Sequence, residues 1–229
     1  MFTSEAECQA YMAQIIPTGD TILQAWRISQ HPYKHVGEIL KDAGVLDCFG
    51  NDNLDPMNVY DVGCGTGEFM WLVQNSLPNA TIRGCNFFDA QTAFGRAQAG
   101  LNIITVDFTE LQVPEETEDI VFCNYTLGYF DDPVPVLEKI WKMLKPGGKL
   151  IMWDAAAAHL ACTFALGYHL RRPCEIRWAA EQAGFSDVKT TWYPGQAKLS
   201  KAMYQIASKQ QLKIFKKMSV PLLTVGVKK

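Results

Sequence analysis

An acidic residue and three glycines stand at alternate positions of this 229-residue chain: Asp61, Gly63, Gly65 and Gly67, with Cys64 inside the turn. Glycine lacks a Cβ atom, so a ligand can approach the backbone closely and positive φ angles cost little. A short β-rich run precedes the turn and an apolar, helix-like stretch follows it. The first N–H groups of a helix can bind an anionic group. This order of strand, turn and helix indicates a nucleotide-type binding site.

Further polar residues stand where the predicted strands end. In an open parallel sheet, ligands bind beyond the carboxyl ends of the strands. Taken alone, each such residue is as well explained as a polar strand end, whereas the set together with the glycine turn indicates one site. The set comprises Asn86, Asp107, Asn124 with Tyr125, and Trp153 with Asp154.

The elements that must position these residues alternate between strand and helix. Strands separated by helical runs imply parallel βαβ units and a doubly wound sheet. The predicted strands end at Asp61 or span 80–86, 101–106, 119–124, 149–153, 187–192 and 221–227. The predicted helices of this region span 67–75, 90–99, 133–144, 155–170, 173–183 and 198–217.

Three further helices are predicted before the first strand, over about 4–15, 20–29 and 33–43. Ser4 begins the first with the spacing of a capping box. So short a helical segment cannot form its own core, so we expect a single domain over 1–229, with 1–56 as a helical cap on a core of 57–229.

Composition excludes several classes of function. The chain is 48% hydrophobic with a formal net charge of −3, so nucleic acid and membranes are not expected partners. Its seven cysteines form no Cys-x-x-Cys pair, which argues against a metal site and suits a reducing cytosol. The start lacks the features of a signal peptide, and no stretch is apolar for long enough to cross a membrane. We therefore expect a cytoplasmic protein.

The glycine turn differs from a dinucleotide fingerprint, which needs glycine where Glu68 stands and an acid where Asn86 stands. A nicotinamide-dependent oxidoreductase is therefore the weaker interpretation. Asp-x-Gly-x-Gly-x-Gly resembles instead motif I of the class I S-adenosylmethionine-dependent methyltransferases. The resemblance covers about 58–193 and includes the turns at 146–148 and 183–185.

That resemblance implies the fold, the cofactor and a set of binding residues. The fold would be α/β: a doubly wound, Rossmann-like, seven-stranded sheet, mostly parallel with an antiparallel last strand, plus the helical cap. The cofactor would be S-adenosyl-L-methionine, with its methionine part on the glycine turn and its adenine at Asp107 and Phe108. The predicted cofactor-binding residues are Asp61, Gly63, Cys64, Gly65, Gly67, Asn86, Phe87, Gln91, Asp107, Phe108 and Asn124.

Strand two carries a neutral Asn86 where most of the family has an acid. This looks like the branch of the cyclopropane fatty acid synthases and the prenyl diphosphate C-methyltransferases, in which a glutamine five positions later contacts the ribose. Gln91 has that spacing, although an exposed residue in the first turn of a helix is its simpler explanation. The prenyl enzymes place a glutamate just after strand four, and this chain has Tyr125 there instead.

Aromatic and basic residues are candidates for the acceptor side, since aromatic faces suit an apolar or cationic acceptor and arginines a carboxylate or diphosphate. Core packing and a solvated helix end are equally simple explanations. The predicted catalytic residues are Tyr125, Tyr129 and His169. The predicted substrate-binding residues are Trp26, Tyr33, Trp153, Tyr168, Arg171 and Arg172.

The predicted function is methyl transfer from S-adenosylmethionine to a small-molecule acceptor. The preferred acceptor is a prenyl diphosphate or a related apolar metabolite. Transfer to oxygen or nitrogen of a small hydroxylated or amine metabolite is the alternative. A cofactor-binding protein of the same fold that does not methylate is a further alternative. A homo-oligomer is compatible with the sequence.

Overall fold

A computed structural model describes residues 4–15, 56–157, 164–165, 168–192 and 219–229. Its helices are α1 (Glu5–Ile15), α2 (Glu68–Ser76), α3 (Asp89–Ala99), the 3₁₀ helix η1 (Leu127–Tyr129), α4 (Val134–Met143) and α5 (Pro173–Gln182). Its strands are β1 (Asn58–Val62), β2 (Thr81–Asn86), β3 (Ile103–Thr105), β4 (Glu118–Phe122), β5 (Leu144–Ala157), β6 (Phe164–Ala165), β7 (Tyr168–His169), β8 (Ser186–Trp192) and β9 (Ser219–Val227).

Seven of these strands form a sheet in the order β3-β2-β1-β4-β5-β9-β8, which confirms the predicted α/β fold. The short strands β6 and β7 pair separately. No helix among the described residues is long and apolar enough to cross a membrane. The chain divides into two compact units, an N-terminal unit (2–111) and a C-terminal unit (112–229). The expectation of a single domain stays a prediction.

The N-terminal unit contains β1, β2 and β3, which pair in parallel. Their register places Asp61 opposite Gly84 and Asn86 opposite Thr105, so polar residues reach the carboxyl ends of adjacent strands. Helix α1 packs on α3 through a buried cluster of Cys8, Met12 and Phe94. The predicted first helix is thus confirmed, whereas the helices expected over 20–29 and 33–43 lie outside the described residues.

The C-terminal unit is organised around β9. This strand pairs antiparallel with both β5 and β8, while β4 pairs in parallel with β5. Buried apolar side chains of β4, β5 and α4 form its core, including Phe122, Leu150 and Leu137. The predicted antiparallel last strand is confirmed, two residues longer at its start than expected.

One predicted helix is wrong. A helix was predicted over 155–170, but β5 continues to Ala157, and β6 and β7 follow. Ala155, Ala156 and Ala157 pair with residues of β9. Ladder hydrogen bonds therefore override helix propensity, which is a weak preference. The helix predicted over 198–217 lies outside the described residues.

Candidate functional site

The glycine turn between β1 and α2 has left-handed backbone at all three glycines, with φ of 73° at Gly63, 58° at Gly65 and 83° at Gly67. A Cβ atom at Gly67 would lie 2.3 Å from Leu101 Cδ1, so a side chain cannot be placed there without displacing the core. At Gly65 the nearest atom among the described residues would be Gln91 Nε2, at 3.9 Å. The backbone at Gly65 is therefore left open to a ligand.

Asn86 connects this turn to the start of α3. Its Oδ1 accepts a hydrogen bond from the Gly65 N–H at 3.2 Å. Its Nδ2 donates to Gln91 Oε1 at 2.9 Å and to the Phe88 carbonyl at 3.3 Å. A carboxylate could accept the first bond but could not donate the other two. The amide at the end of strand two is thus used as both acceptor and donor.

Asp61 is a buried carboxyl group at the end of β1, with 2% of its surface exposed. Its Oδ1 has no hydrogen-bond partner among the residues that the structure describes. Burial raises the pKa of Asp61 from its ordinary value of 3.8 to about 8. Burying a polar group without a partner costs free energy, so this oxygen suits a ligand that brings a donor or a positive charge.

The other predicted cofactor residues of the N-terminal unit surround these two. Phe87 is 61% exposed and meets Phe88 edge to face, with ring centroids 5.2 Å apart. Asp107 Oδ1 accepts hydrogen bonds from the Thr109 N–H at 2.8 Å and the Thr109 hydroxyl at 2.7 Å, which fixes its loop. Phe108 is buried. An exposed aromatic face and an ordered carboxylate thus stand at the ends of β2 and β3.

In the C-terminal unit, Asn124 follows β4 and forms a hydrogen bond with β5. Its Oδ1 accepts the Trp153 N–H at 2.9 Å, and its buried Nδ2 has no partner among the described residues. The Trp153 side chain is 1% exposed and donates from Nε1 to the Tyr125 hydroxyl at 2.9 Å. Trp153, predicted to bind substrate, therefore lies in the core and orients Tyr125.

The three predicted catalytic residues differ in their surroundings. Tyr125 adopts a left-handed φ of 50°, which is uncommon for a residue with a side chain. Burial raises the pKa of its hydroxyl above the ordinary range, so this phenol stays protonated. Tyr129 is 47% exposed. His169 Nε2 lies 2.8 Å from Asp131 Oδ1.

Both predicted substrate-binding arginines form hydrogen bonds with other residues of the chain. Arg171 donates to the carbonyls of Leu127 and Asp131 at 2.9 and 3.0 Å, and to the carbonyl of Phe130. Arg172 begins α5, where its N–H and guanidinium bond to Glu175 at 2.7 and 2.5 Å. Trp26, Tyr33 and the side chain of Tyr168 lie outside the described residues.

The sequence between Tyr60 and Met152 matches a known family model. Residues 60–152 match the family described as "Methyltransferase domain". This part of the chain, 60–152, is therefore similar to a methyltransferase domain.

Curated proteins similar to this chain are named for different acceptors. The chain is 30% identical over 104 residues to a demethylmenaquinone methyltransferase of Deinococcus radiodurans, which covers 43% of each protein. It is 30% identical over 122 residues to a malonyl-acyl-carrier-protein O-methyltransferase of Hahella chejuensis, which covers 52% of this chain and 41% of the relative. The matched regions thus span less than half of these relatives.

Solved methyltransferase structures share the fold. A geranyl diphosphate C-methyltransferase from Streptomyces coelicolor superposes with a TM-score of 0.66 at 14% identity, covering 85% of this chain and 80% of that one. A Haemonchus contortus phosphoethanolamine N-methyltransferase, solved with S-adenosyl-L-methionine, superposes with a TM-score of 0.62 at 17% identity, covering 82% and 52%. At such identities the likeness concerns the fold alone.

Two residues next to the glycine turn or to α3 were missed by sequence reasoning. Gly95 of α3 lets this helix approach the turn, because a Cβ atom there would lie 2.5 Å from the Thr66 carbonyl oxygen. A glycine inside the helix predicted over 90–99 was the available signal, since glycine in a helix often marks a close approach. Glu5 of α1 bonds to the start of α3. The sequence carries no signal for a contact between residues 84 positions apart.

Proposed function

We propose that this chain transfers the methyl group of S-adenosylmethionine to a small-molecule acceptor. The observation that carries the proposal is the glycine turn, whose Gly65 N–H bonds to Asn86. Beside this turn lies Asp61, a buried carboxyl group whose Oδ1 has no hydrogen-bond partner among the described residues. The family match supports it, as do relatives that are themselves named methyltransferases.

The residues present fit this cofactor. Asp61 suits its cationic amino group, since a nearby positive charge favours the ionised carboxyl group. The open backbone at Gly65, with Gly63, Cys64 and Gly67, would hold the methionine part. Asn86 orients Gln91 toward the ribose, and Phe87, Asp107 and Phe108 would hold the adenosine. Asn124 stays a predicted cofactor contact through its buried Nδ2.

When bound, the cofactor supplies a methyl group already activated on a sulfonium. The chain's own residues need only hold the acceptor in line with that group and exclude water. Tyr125 suits the positioning of the acceptor. Its hydroxyl accepts a hydrogen bond from Trp153 Nε1 and stays protonated, so it can donate a hydrogen bond to the acceptor. Tyr129 and His169 are proposed to contact the acceptor in the same unit.

An apolar metabolite is the acceptor that we favour over a prenyl diphosphate. A diphosphate needs cationic partners, and the guanidiniums of Arg171 and Arg172 already bond to carbonyls and to Glu175. Breaking these bonds would offset much of the gain from binding the diphosphate. A small hydroxylated or amine metabolite remains the alternative acceptor.

Turnover with matched acceptors tests the proposal. The purified chain is incubated with S-adenosylmethionine and either a prenyl diphosphate, the corresponding prenyl alcohol, or small amine and hydroxylated metabolites, and S-adenosylhomocysteine is measured. We expect product with an uncharged apolar acceptor. Product with the diphosphate alone would contradict the proposed acceptor class. Cofactor binding without product from any acceptor would favour the cofactor-binding protein that does not methylate.

A further inference from the structure

Helix α1 supplies the N-terminal cap of α3, the helix that carries Gln91. The N-cap position of α3 is occupied by Phe88, whose side chain cannot accept a hydrogen bond. The Glu5 carboxylate takes over this role across the interface. Its Oε2 accepts the Asp89 N–H and its Oε1 accepts the Ala90 N–H, both at 3.0 Å. A helix start leaves such donors unsatisfied unless another group binds them.

Helix α1 also packs on the side of α3. Cys8, one turn after Glu5, is fully buried and forms an apolar cluster with Met12 and Phe94. Two consecutive amide groups at the start of α3 are thus bound, and its side is covered, by one helix that comes from the far end of the unit's sequence.

These amides start the helix that carries Gln91, a residue that shapes the cofactor site. Gln91 Oε1 accepts from Asn86 Nδ2, which places its remaining group, Nε2, above Gly65. Asn86 in turn binds the Gly65 N–H. A continuous series of hydrogen bonds and packing contacts thus connects Glu5, through the first turn of α3, to the glycine turn.

We propose that Glu5 is a positioning residue of the cofactor site: by capping α3 from outside, it fixes the direction of the Gln91 amide toward the bound nucleoside. This inference rests on the proposed function, since it assumes that S-adenosylmethionine occupies the turn. It assigns to the first helix a part in cofactor affinity, although Glu5 itself touches no ligand.

Three variants of the full chain test the role of the carboxylate. Glu5→Ala removes both acceptors, and Glu5→Gln keeps one acceptor oxygen without the charge. Glu7→Ala is the matched control, because it removes the same charge from the same turn of α1. Calorimetry with S-adenosylhomocysteine is expected to give about 10-fold weaker binding for Glu5→Ala, about 3-fold for Glu5→Gln, and less than about 2-fold for Glu7→Ala. Equal affinities for Glu5→Ala and Glu7→Ala would overturn the proposal.

A double-mutant cycle distinguishes positioning from general stability. If Glu5 acts through Gln91, Glu5→Ala should weaken binding less than about 2-fold in a Gln91→Ala background. Additive losses would mean that Glu5 only stabilises the fold, and would overturn the proposal.

A measurement without ligand separates this inference from the proposed function. Hydrogen exchange at the amides of Asp89 and Ala90 should be about 10-fold faster in Glu5→Ala than in Glu7→Ala. Unchanged exchange there would overturn the anchoring whether or not the cofactor binds. Absence of S-adenosylhomocysteine binding by the wild-type chain, with this difference in exchange intact, would contradict the proposed function and with it the role of Glu5 in affinity.

Discussion

Asn86 can keep its three partners only as an amide, because one atom accepts from Gly65 while the other donates to Gln91 and Phe88. The substitution Asn86→Asp, which restores the acid common in the family, should therefore weaken binding. We expect S-adenosylhomocysteine to bind about 10-fold less tightly by calorimetry, since two donated bonds are lost at about 1 kcal/mol each and the acid recovers part of this through the ribose.

Asn75→Asp is the matched control for this change. The Asn75 amide also donates to a backbone carbonyl, that of Trp71 at 2.7 Å, but on an exposed face at the end of α2. The same chemical change there should alter affinity by less than about 2-fold. Tighter binding by the Asn86→Asp chain would contradict the role assigned to the amide.

Asp61 should make the free protein less stable as pH rises. Its folded-state pKa of about 8 lies above its ordinary value of 3.8, so the folded chain retains a proton that the unfolded chain releases. The contribution of the neutral Asp61 carboxyl group to the free energy of unfolding is fully present below about pH 4. It decreases progressively as the pH rises to about 8. Thermal unfolding of the wild type and of Asp61→Asn, measured from pH 4 to pH 8, should diverge, with the wild type falling relative to the variant. Parallel profiles would show that Asp61 ionises without penalty.

At the scale of elements, Arg171 holds the end of η1 to the segment before α5. Its guanidinium bonds to the carbonyls of residues 127, 130 and 131. Arg171→Ala should reduce the free energy of unfolding by about 2 kcal/mol, because charged hydrogen bonds are lost and partly buried carbonyls are left unpaired.

Arg177→Ala is the comparison for that prediction. Arg177 forms an exposed ion pair with Glu181 along α5, at 2.7 Å, and its loss should cost less than about 0.5 kcal/mol. Urea denaturation of both variants measures the difference. Equal losses would mean that Arg171 is as dispensable as a surface residue, and would return it to the candidates for binding a diphosphate.

The sequence predicted elements better than it predicted their partners. Strand and helix alternation from β1 to α5 follows from hydrophobic periodicity and from turn residues, which are local signals. The helix predicted over 155–170 was wrong because the start of this segment pairs with β9, which lies more than 60 residues later. The contacts of Arg171 with η1 depend in the same way on carbonyls 40 or more positions earlier, which no local pattern encodes.

At the scale of the whole molecule, β9 is an interior strand of the sheet in the C-terminal unit. It lies between β5 and β8, and Lys228 beyond it is 3% exposed, with its Nζ 4.1 Å from the centre of the Trp141 ring and 3.2 Å from Glu116 Oε1. Deletion of residues 219–229 should remove the sheet partner of β8, expose one edge of β5 and open an apolar core, so we expect insoluble protein.

Deletion of Lys229 alone is the control, since this residue is exposed and forms a surface ion pair with Asp187. Its removal should change stability by less than about 0.5 kcal/mol. Soluble yield and the midpoint of thermal unfolding measure both deletions. A soluble, cooperatively folded chain without 219–229 would contradict the central role of β9.

Calorimetry of cofactor binding at the glycine turn tests the central claim most directly. The wild-type chain should bind S-adenosylhomocysteine with a dissociation constant of about 1–100 μM. Gly65→Val should reduce binding at least about 100-fold, because Gly65 has a φ of 58° and a side chain there would occupy the open backbone. Gly100→Val is the matched control, since Gly100 has a φ of 63° at the end of α3 and, within the part of the chain that the structure describes, no atom lies within 4 Å of the added Cβ. It should retain binding. Wild-type protein that binds no S-adenosylhomocysteine at about millimolar ligand, or a Gly65→Val chain that binds as tightly as the wild type, would contradict the account.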